Sequence, residues 1–336
     1  GSSEPGSGGP QGMTAVSVIV PCYNCEKTVE RTLDSLRNQT LKDLEIVAIN
    51  DGSEDSTLSV LQNYQKSYPD LNLKVYSKQN EGIAEARNFG LFKVTGEYFG
   101  FLDSDDYAEP FMFEDLYCKA VSENLELVIS DFWWENSKGQ KLQKEGPYET
   151  GPDMMVQLFA VLWNKLYRTS FIRSLDISFP KGDRYEDACF LYCLTCRLSK
   201  IGFVDQPYVH YVQQEKSITH TNNDQVKNMI EVFQIIQKYY RDHGFYEEYR
   251  DALEYIHIKF FLGNSFLRSS KIEDKKDRER TIRMGWDLLN TSFPDWHHNP
   301  YLKSLGGMKN RYFSIVNEHN LMFFAWLFRH FKKDNL

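Results

Sequence analysis

The sequence predicts an α/β fold with a mainly parallel central sheet, followed by a C-terminal region that is mostly helical. Between residues 15 and 131, short apolar runs alternate with segments whose apolar residues recur at helical spacing. Apolar strands separated by single helices are typical of βαβ units, which build parallel sheets. From residue 224 onward, few strand or hairpin signals interrupt the helical pattern. The predicted strands are 16–20, 44–49, 73–76, 98–102 and 127–130.

This pattern divides the chain into three segments. Residues 1–12 are rich in Gly, Ser and Pro, which is typical of an expression tag. We expect residues 13–222 to form the α/β domain and residues 223–336 to form a helical add-on domain. Within the α/β domain we predict a hairpin or loop at 133–152, helices at 154–170 and 186–198, and extended structure at 203–213.

Composition excludes several classes of protein. The net charge of −8 argues against a nucleic-acid-binding protein, which needs a basic surface. The six cysteines show neither zinc-ligand spacing nor the framework of a small secreted protein. Cys22 and Cys25 form a Cys-x-x-Cys motif, but the segments after it do not follow a thioredoxin pattern. The longest later apolar run, 321–328, is shorter than the roughly 20 residues that span a bilayer. We therefore predict a cytoplasmic protein.

Polar loops follow the first four predicted strands, at 21–24, 50–53, 78–82 and 103–106. In open α/β sheets, ligands bind beyond the carboxyl ends of the strands. Asp103 and Asp105 lie one residue apart directly after a strand, where two carboxylates can hold Mn²⁺ or Mg²⁺ together with phosphate oxygens. The alternative is a solvated acidic turn.

Two other loops suit a nucleotide. The Asp51 carboxylate can accept a hydrogen bond from a base N–H, although the same turn can instead cap a helix through Ser53 or Asp55. Gly82 begins a helix whose free N–H groups suit a phosphate or ribose. Arg87, one turn further on, can donate to a diphosphate, or it is an ordinary surface arginine.

Taken in order, these segments resemble the family 2 glycosyltransferases of the GT-A fold, over residues 16–218. The resemblance implies an inverting enzyme with a nucleotide-binding fold and a UDP-sugar donor. It places Tyr23 against uracil, Asp51 on the uracil N3–H, Asp103 on the ribose or metal, and Asp105 on the metal. The nucleotide-binding residues that it implies are Pro21, Tyr23, Asn24, Asp51, Gly82, Arg87, Asp103 and Ser104.

The resemblance also implies residues for the transfer itself. Asp187, with Glu186 beside it, is the expected general base that takes the proton of the acceptor hydroxyl. The alternative is a pair of acids that complement a helix dipole. His210 or His220 completes the metal shell, and the sequence does not choose between them. We expect Trp163, Lys165 and Asp106 to face the donor sugar or the acceptor, with a core position as the alternative for Trp163.

The C-terminal segment 320–333 combines two leucines, four phenylalanines and a tryptophan with Arg329, Lys332 and Lys333. Three interpretations stay open: an interfacial helix at an anionic membrane, a helix packed in its own domain, and a contact in a homodimer. The first interpretation, an interfacial helix, implies that the protein lies on the cytoplasmic face of a membrane.

The sequence therefore predicts transfer of glucose, galactose or an N-acetylhexosamine from a UDP-sugar to a hydroxyl of a glycan on a glycoprotein or lipid carrier. The resemblance further implies a bacterial enzyme of surface polysaccharides or adhesins. A nucleotidyltransferase is one alternative, but it needs a Gly-rich loop after the first strand, and 21–27 contains no Gly. A non-catalytic carbohydrate- or partner-binding module is another, and the intact aspartates argue against it.

Overall fold

The computed structural model describes residues 14–182, 184–213 and 223–331. These residues form two compact units. The sheet unit takes its described residues from 14–147, 161–179 and 199–213, and the helical unit takes them from 148–160, 180–198 and 223–331. The strands are β1 (Val16–Cys22), β2 (Leu44–Asp51), β3 (Leu73–Lys78), β4 (Tyr98–Phe101), β5 (Tyr107–Ala108), β6 (Leu127–Asn136), β7 (Gly139–Gln143), β8 (Lys165–Arg168) and β9 (Ile201–Val212). The helices are α1 (Val29–Arg37), α2 (Thr57–Ser67), α3 (Ile83–Lys93), α4 (Met112–Ser122), α5 (Pro152–Gln157), α6 (Thr169–Arg173), α7 (Glu186–Thr195), α8 (Asn223–Asp242), α9 (Tyr246–Lys259), α10 (Ser265–Ser270), α11 (Lys275–Ser292), α12 (Pro300–Ser304), α13 (Gly307–Ile315) and α14 (Leu321–Phe331).

Within the described residues, the sheet unit holds one sheet with the strand order β3-β2-β1-β4-β8-β6-β9-β5, and β7 pairs with β6. The strands β3, β2, β1 and β4 are parallel. Beyond β4 the sheet is mixed, because β8 runs antiparallel to both β4 and β6. In the parallel half, Cys22 pairs with Asn50, and Asp51 pairs with Lys78. The carboxyl ends of β1, β2 and β3 therefore meet at one edge.

The parallel strands β1, β2 and β4 are buried along their length because helices cover both faces of the sheet, whereas the edge strand β3 is only partly buried. Every residue of β1 and β2 is buried. Polar side chains in these strands form buried hydrogen bonds. The Ser17 hydroxyl, for example, donates to Oε1 of Glu45 at 2.7 Å. Gly90 allows α3 to approach β1 closely, since a Cβ at Gly90 would lie 2.5 Å from Cγ2 of Ile19. This contact sets the distance between α3 and the face of the sheet at β1.

The structure confirms the α/β fold with a helical C-terminal region, and the hairpin predicted near residue 133 is formed by β6 and β7. The helix predicted at 154–170 is wrong, because α5 ends at Gln157 and residues 165–168 form β8. Leu166 and Tyr167 are fully buried between two strands, and a short apolar run does not distinguish a buried strand from a buried helix. The division at residue 222 stays a prediction. The compact units themselves interleave along the chain.

The helical unit packs around aromatic residues. The Tyr240 hydroxyl donates to the backbone carbonyl of Tyr192 at 2.6 Å, which joins α8 to α7. His257 in α9 is buried, and its ring centroid lies 4.4 Å from that of Phe233 and 4.8 Å from that of Phe293. Among the residues that the structure describes, no helix has the length and apolar character needed to cross a membrane.

The buried His257 makes the helical unit sensitive to acid. Its Nδ1 lies 2.6 Å from the Leu253 carbonyl oxygen, and burial lowers the pKa of the imidazole to about 3. Below pH 6.5 the unfolded chain binds a proton that the folded chain excludes, so stability is lost as the pH falls from about 6.5 towards 3. We expect this group to contribute a loss of about 2 kcal/mol between pH 7.5 and pH 5.

Chemical denaturation at both pH values measures this loss. His257→Gln should flatten the pH dependence even where it lowers stability overall, whereas His298→Gln, at an exposed histidine of the same unit, should leave it unchanged. An unchanged pH dependence in His257→Gln would contradict the prediction.

Candidate active site

The carboxyl edge of the parallel strands gathers polar side chains from three loops around the start of α3. The first member is Asp51, the last residue of β2, which is buried. Its Oδ1 accepts from the backbone N–H of Glu81 at 3.1 Å, and its Oδ2 accepts from that of Gly82 at 3.0 Å. Lys78 Nζ donates to Oδ1 at 3.2 Å. The carboxylate therefore fixes the start of α3 to the sheet edge and retains room for a further donor, since an ionised carboxylate has about four acceptor positions.

Lys78 lies within the predicted polar loop 78–82 but was assigned no individual role. It ends β3 and lies in register with Asp51 on the neighbouring strand, so its ammonium group neutralises a buried carboxylate. Its role depends on the register of these two adjacent parallel strands, which the sequence alone does not show. Lys78 brings a positive charge to the same edge as the two predicted ligand aspartates.

Two glycines shape this edge. Gly52 has a φ of +65°, and a Cβ there would lie 2.5 Å from the backbone N of Asn80. Gly82 has a φ of +93° and immediately precedes α3. Both positions disfavour residues with a side chain. The loops after β2 and β3 thus approach each other closely, and the N–H groups at the start of α3 lie at the edge.

The loop after β1 presents Tyr23, whose relative exposure is 50%, whereas Pro21 is buried. Asn24 adopts a left-handed conformation with φ of +48°, and its Oδ1 accepts from the backbone N–H of Glu54 at 2.9 Å. The Asn24 side chain therefore ties this loop to the loop after β2. The aromatic ring of Tyr23 stays accessible to a planar ligand.

Asp103, Ser104 and Asp105 follow β4 and are partly exposed. Arg87 of α3 is buried, and its Nη2 donates to Oδ1 of Asp103 at 3.3 Å. Because Asp51 binds the start of α3 and Asp103 binds its second turn, both carboxylates belong to one site. Arg31 also contributes, since its Nη2 donates to the backbone carbonyl of Asp105 at 2.9 Å. Nothing in the sequence pattern indicated Arg31, which lies 74 residues away along the chain.

Cys25 lies beside this acidic loop. Its thiol forms hydrogen bonds with Cys22, Ser104 and Thr57, and the bond from Cys22, the largest cause, lowers its pKa to about 7. Both thiols are buried. The Cys-x-x-Cys motif therefore packs the loop after β1 against Ser104.

Asp103 and Asp105 fit a divalent cation. Burial, and then the negative charge of Asp103, raise the pKa of Asp105 above its ordinary value. A cation bound between the two carboxylates would relieve this repulsion. No group of three or more side chains able to hold a metal occurs among the described residues. Mg²⁺ commonly binds through one or two carboxylates and completes its shell with waters and substrate phosphates, which matches this pair.

Asp106 was expected to face the donor sugar or the acceptor, and the structure corrects this expectation. Its side chain is fully buried, and its Oδ1 accepts from the backbone N–H of Val212 at 2.9 Å. Burial, together with the charges of Asp103 and Asp105, raises its pKa to about 9. The carboxyl group joins the acidic loop to the end of β9.

His210 is not placed to bind a metal. It is buried, with its Nε2 2.7 Å from Oε1 of Glu109 and its Nδ1 3.0 Å from Oε2 of Glu135. Its ring stacks on Tyr107 with 4.3 Å between centroids. Because both ring nitrogens are engaged with carboxylates, the prediction for His210 is corrected. The alternative, His220, lies outside the described residues.

Trp163 and Lys165 are core residues, so the expected sugar contacts are corrected as well. Trp163 is buried and stacks on Tyr211 with 5.1 Å between ring centroids. Lys165 is fully buried, and its Nζ lies 3.2 Å from Oε1 of Glu145, which is also buried. A buried ammonium group needs a charged partner of this kind. The residue types suggested a binding surface, but β8 places them inside the sheet unit.

Glu186 and Asp187 begin α7 in the helical unit. Glu186 is buried and Asp187 is partly exposed, with the Ala188 N–H 2.7 Å from its Oδ1. Tyr185, just before the helix, has a φ of +64°. Both acids therefore lie where they complement the helix dipole, and a catalytic role for Asp187 stays a prediction.

Three comparisons with known proteins bear on the family and the fold of this chain. The sequence model for glycosyl transferase family 2 matches residues 17–179. The cholesterol galactosyltransferase of Borreliella burgdorferi is 27% identical over 319 residues, which covers 87% of this chain and 87% of that protein.

Two solved structures share the fold. Residues 1–349 of S. aureus TarS in complex with UDP superpose with a TM-score of 0.64 at 22% identity, covering 96% of this chain and 94% of that one. The mannosyltransferase PcManGT from Pyrobaculum calidifontis, in complex with GDP-Man and Mn²⁺, gives a TM-score of 0.53 at 16% identity, covering 97% and 89%. The family match and the named relatives therefore show that this chain is a glycosyltransferase with a family 2 domain at residues 17–179, and the solved structures share its fold.

Proposed function

We propose that this glycosyltransferase takes glucose, galactose or an N-acetylhexosamine from a UDP-sugar, with the help of Mn²⁺ or Mg²⁺, and inverts the anomeric centre. The observation that carries the proposal is the link through α3. Gly82 at its start binds the Asp51 carboxylate, and Arg87 in its second turn binds Asp103. One helix thus joins the base-binding, phosphate-binding and metal-binding parts of the edge.

Each part of UDP has suitable groups in the sheet unit. The half-exposed Tyr23 ring offers a stacking surface for uracil, and Asp51 offers an acceptor for its N3–H. The N–H groups at the start of α3 and the guanidinium of Arg87 suit the diphosphate. The proposal also draws on TarS, a structural neighbour solved with UDP.

In this proposal, Asp105 is the main protein ligand of the metal, and Asp103 binds the metal or the ribose. When bound, the metal acts as a Lewis acid for the negative charge that develops on the departing diphosphate. Arg87 holds Asp103 in place and adds a positive charge beside it. The neighbour PcManGT, solved with Mn²⁺, supports a divalent ion in this fold.

The chain must also remove a proton from the acceptor. We assign this step to Asp187, whose carboxylate accepts the proton of the attacking hydroxyl while the acceptor oxygen bonds to the sugar and the diphosphate leaves. A single displacement of this kind inverts the configuration at the sugar. Glu186, buried at the same helix start, would position Asp187 or bind an acceptor hydroxyl.

The acceptor in this proposal is a glycan or a lipid carrier. A lipid acceptor is supported by the relative named as a cholesterol galactosyltransferase, which covers most of this chain. A glycoprotein acceptor remains part of the proposal. The six cysteines, which lack the spacing of a secreted disulfide framework, favour the cytoplasmic side of the membrane.

A donor screen tests the proposal. UDP-glucose, UDP-galactose, UDP-N-acetylglucosamine, UDP-N-acetylgalactosamine and GDP-mannose are incubated with the protein and Mn²⁺, Mg²⁺ or EDTA, and release of the nucleoside diphosphate is followed. We expect one UDP-sugar to be hydrolysed in the presence of metal and not with EDTA. Binding of UDP without any turnover would indicate a non-catalytic module, and a preference for GDP-mannose would overturn the donor assignment.

Replacing Tyr23 tests the base-binding surface. Stacking of a base on an aromatic ring contributes about 1–3 kcal/mol, so Tyr23→Ala should weaken UDP binding by roughly tenfold in isothermal titration calorimetry. Tyr68→Ala is the matched control. Tyr68 is also exposed, but it lies between α2 and β3, near the amino ends of the strands. Equal affinities for UDP in the wild type and Tyr23→Ala would exclude this role.

A further inference from the structure

The C-terminal helix α14 of the helical unit has two apolar faces. On the inner face, Leu321 and Ala325 are buried, while the rings of Phe324 and Phe328 each lie 5.0 Å from that of Tyr312. This face anchors α14 to α13. Ordinary packing of a terminal helix therefore accounts for the inner face.

The outer face, which we call the aromatic face, consists of Phe323, Trp326 and Phe331. Their relative exposures are 57%, 51% and 71%. Phe323 and Trp326 lie three residues apart on one side of the helix with their ring centroids 6.2 Å apart, and the Phe331 ring lies 5.7 Å from that of Trp326. Large aromatic side chains are costly to leave in water, and three on one helix indicate a surface that is covered in use.

The preceding segment of the chain also carries exposed apolar residues. Leu305, Met308 and Ile315 are exposed, and Met308 reaches 90%. Six of the 14 exposed large hydrophobic residues in the described part of the chain therefore lie between residues 305 and 331. This concentration, rather than any single side chain, marks the region.

The charge of the same region has the opposite sign to that of the rest of the chain. Residues 301–336 contain six Lys and Arg against two Asp and Glu, a net charge of +4. The preceding 300 residues contain 33 against 45, a net charge of −12. A strongly acidic protein thus carries its exposed aromatic helix within a basic segment.

The exposed aromatic residues and the positive charge of this segment together indicate what the aromatic face binds. A symmetric dimer through the aromatic face would bring two basic segments together, and like charges oppose such a contact. An anionic bilayer attracts basic residues and accepts aromatic side chains at the level of its headgroups. A helix of 11 residues is far too short to cross a bilayer but suits a position in the plane of its surface.

We propose that the aromatic face of α14 inserts into the headgroup region of an anionic lipid bilayer and holds the enzyme at the membrane surface. The inference depends on neither the donor nor the metal. It goes beyond the proposed function because it concerns where the enzyme works, and it is tested without substrates.

Vesicle flotation with the full chain tests the proposal. The vesicles are phosphatidylcholine alone, or phosphatidylcholine with about one third phosphatidylglycerol. We expect binding to the anionic vesicles, much weaker binding to the neutral ones, and a strong decrease in 0.5 M salt, because salt screens the charge attraction. The triple variant Phe323→Ser/Trp326→Ser/Phe331→Ser should bind roughly 100-fold more weakly, since three inserted aromatic groups are lost.

The matched control is Phe92→Ser/Phe111→Ser, which removes two exposed aromatic residues from the sheet unit. This double variant should bind anionic vesicles like the wild type. Thermal unfolding of both variants checks that each is folded. Absence of binding to anionic vesicles, or unchanged binding by the triple variant, would overturn the proposal. A dimer in sedimentation velocity that the triple variant abolishes, without vesicle binding by the wild type, would assign the face to self-association and overturn it too.

Discussion

Replacing Asp105 by asparagine is expected to reduce metal-dependent sugar transfer by at least about 1000-fold, because the main protein ligand of the cation is lost. Stabilisation of the charge on a leaving group by a metal contributes several kcal/mol, and each 1.36 kcal/mol corresponds to about tenfold in rate. The variant should remain folded, since the Asp105 side chain is partly exposed. Donor hydrolysis across a series of Mn²⁺ concentrations measures the effect.

Asp70→Asn is the matched control for this variant. Asp70 is also an exposed aspartate, but it lies between α2 and β3 at the amino ends of the strands, away from the proposed site. The Asp70→Asn variant should leave both the rate of donor hydrolysis and its dependence on Mn²⁺ unchanged. A rate for Asp105→Asn within tenfold of the wild type would show that the metal, if required, is held elsewhere.

Replacing Asp187 by asparagine is expected to decrease transfer to an acceptor by about 1000-fold while UDP binding stays within about twofold of the wild type. General base catalysis contributes about 10²–10⁴-fold, and an amide accepts no proton under these conditions. Asparagine has nearly the same size, so α7 should be preserved. Single-turnover transfer gives the rate, and calorimetry with UDP gives the affinity.

The alternative for Asp187 is a purely electrostatic role at the start of α7. Glu247→Gln provides the control, because Glu247 occupies the first turn of α9 in the same unit. If Asp187 only complements a helix dipole, both variants should lower stability by a few tenths of a kcal/mol and leave transfer intact. That outcome would remove Asp187 from the mechanism.

The strands β1 and β2 were predictable because they are buried on both faces and form apolar runs. The strand β8 was not, since Leu166 and Tyr167 owe their conformation to burial between β4 and β6. Local sequence carries no information about which distant strands will enclose a short apolar segment. The helical unit was predictable as helix, but its interleaving with the sheet unit depends on tertiary contacts.

The grouping of polar residues at the candidate site was predictable from their positions at strand ends, whereas their functional roles stay predictions. Asp51, Asp103 and Asp105 lie after parallel strands, and the topology brings such ends together. Asp106 and His210 were misassigned because residue type does not reveal burial, and both are enclosed by groups distant in sequence. Lys78 was missed because a single lysine at the end of a strand becomes meaningful only when its register with Asp51 is known.

A crystal structure with Mn²⁺ and UDP, using the anomalous signal of manganese, tests the central claim most directly. We predict an anomalous peak at the Asp105 carboxylate, about 2.0–2.4 Å from one oxygen and adjacent to the diphosphate, with uracil against Tyr23. A peak away from Asp105, with UDP bound elsewhere in the sheet unit, would contradict the account.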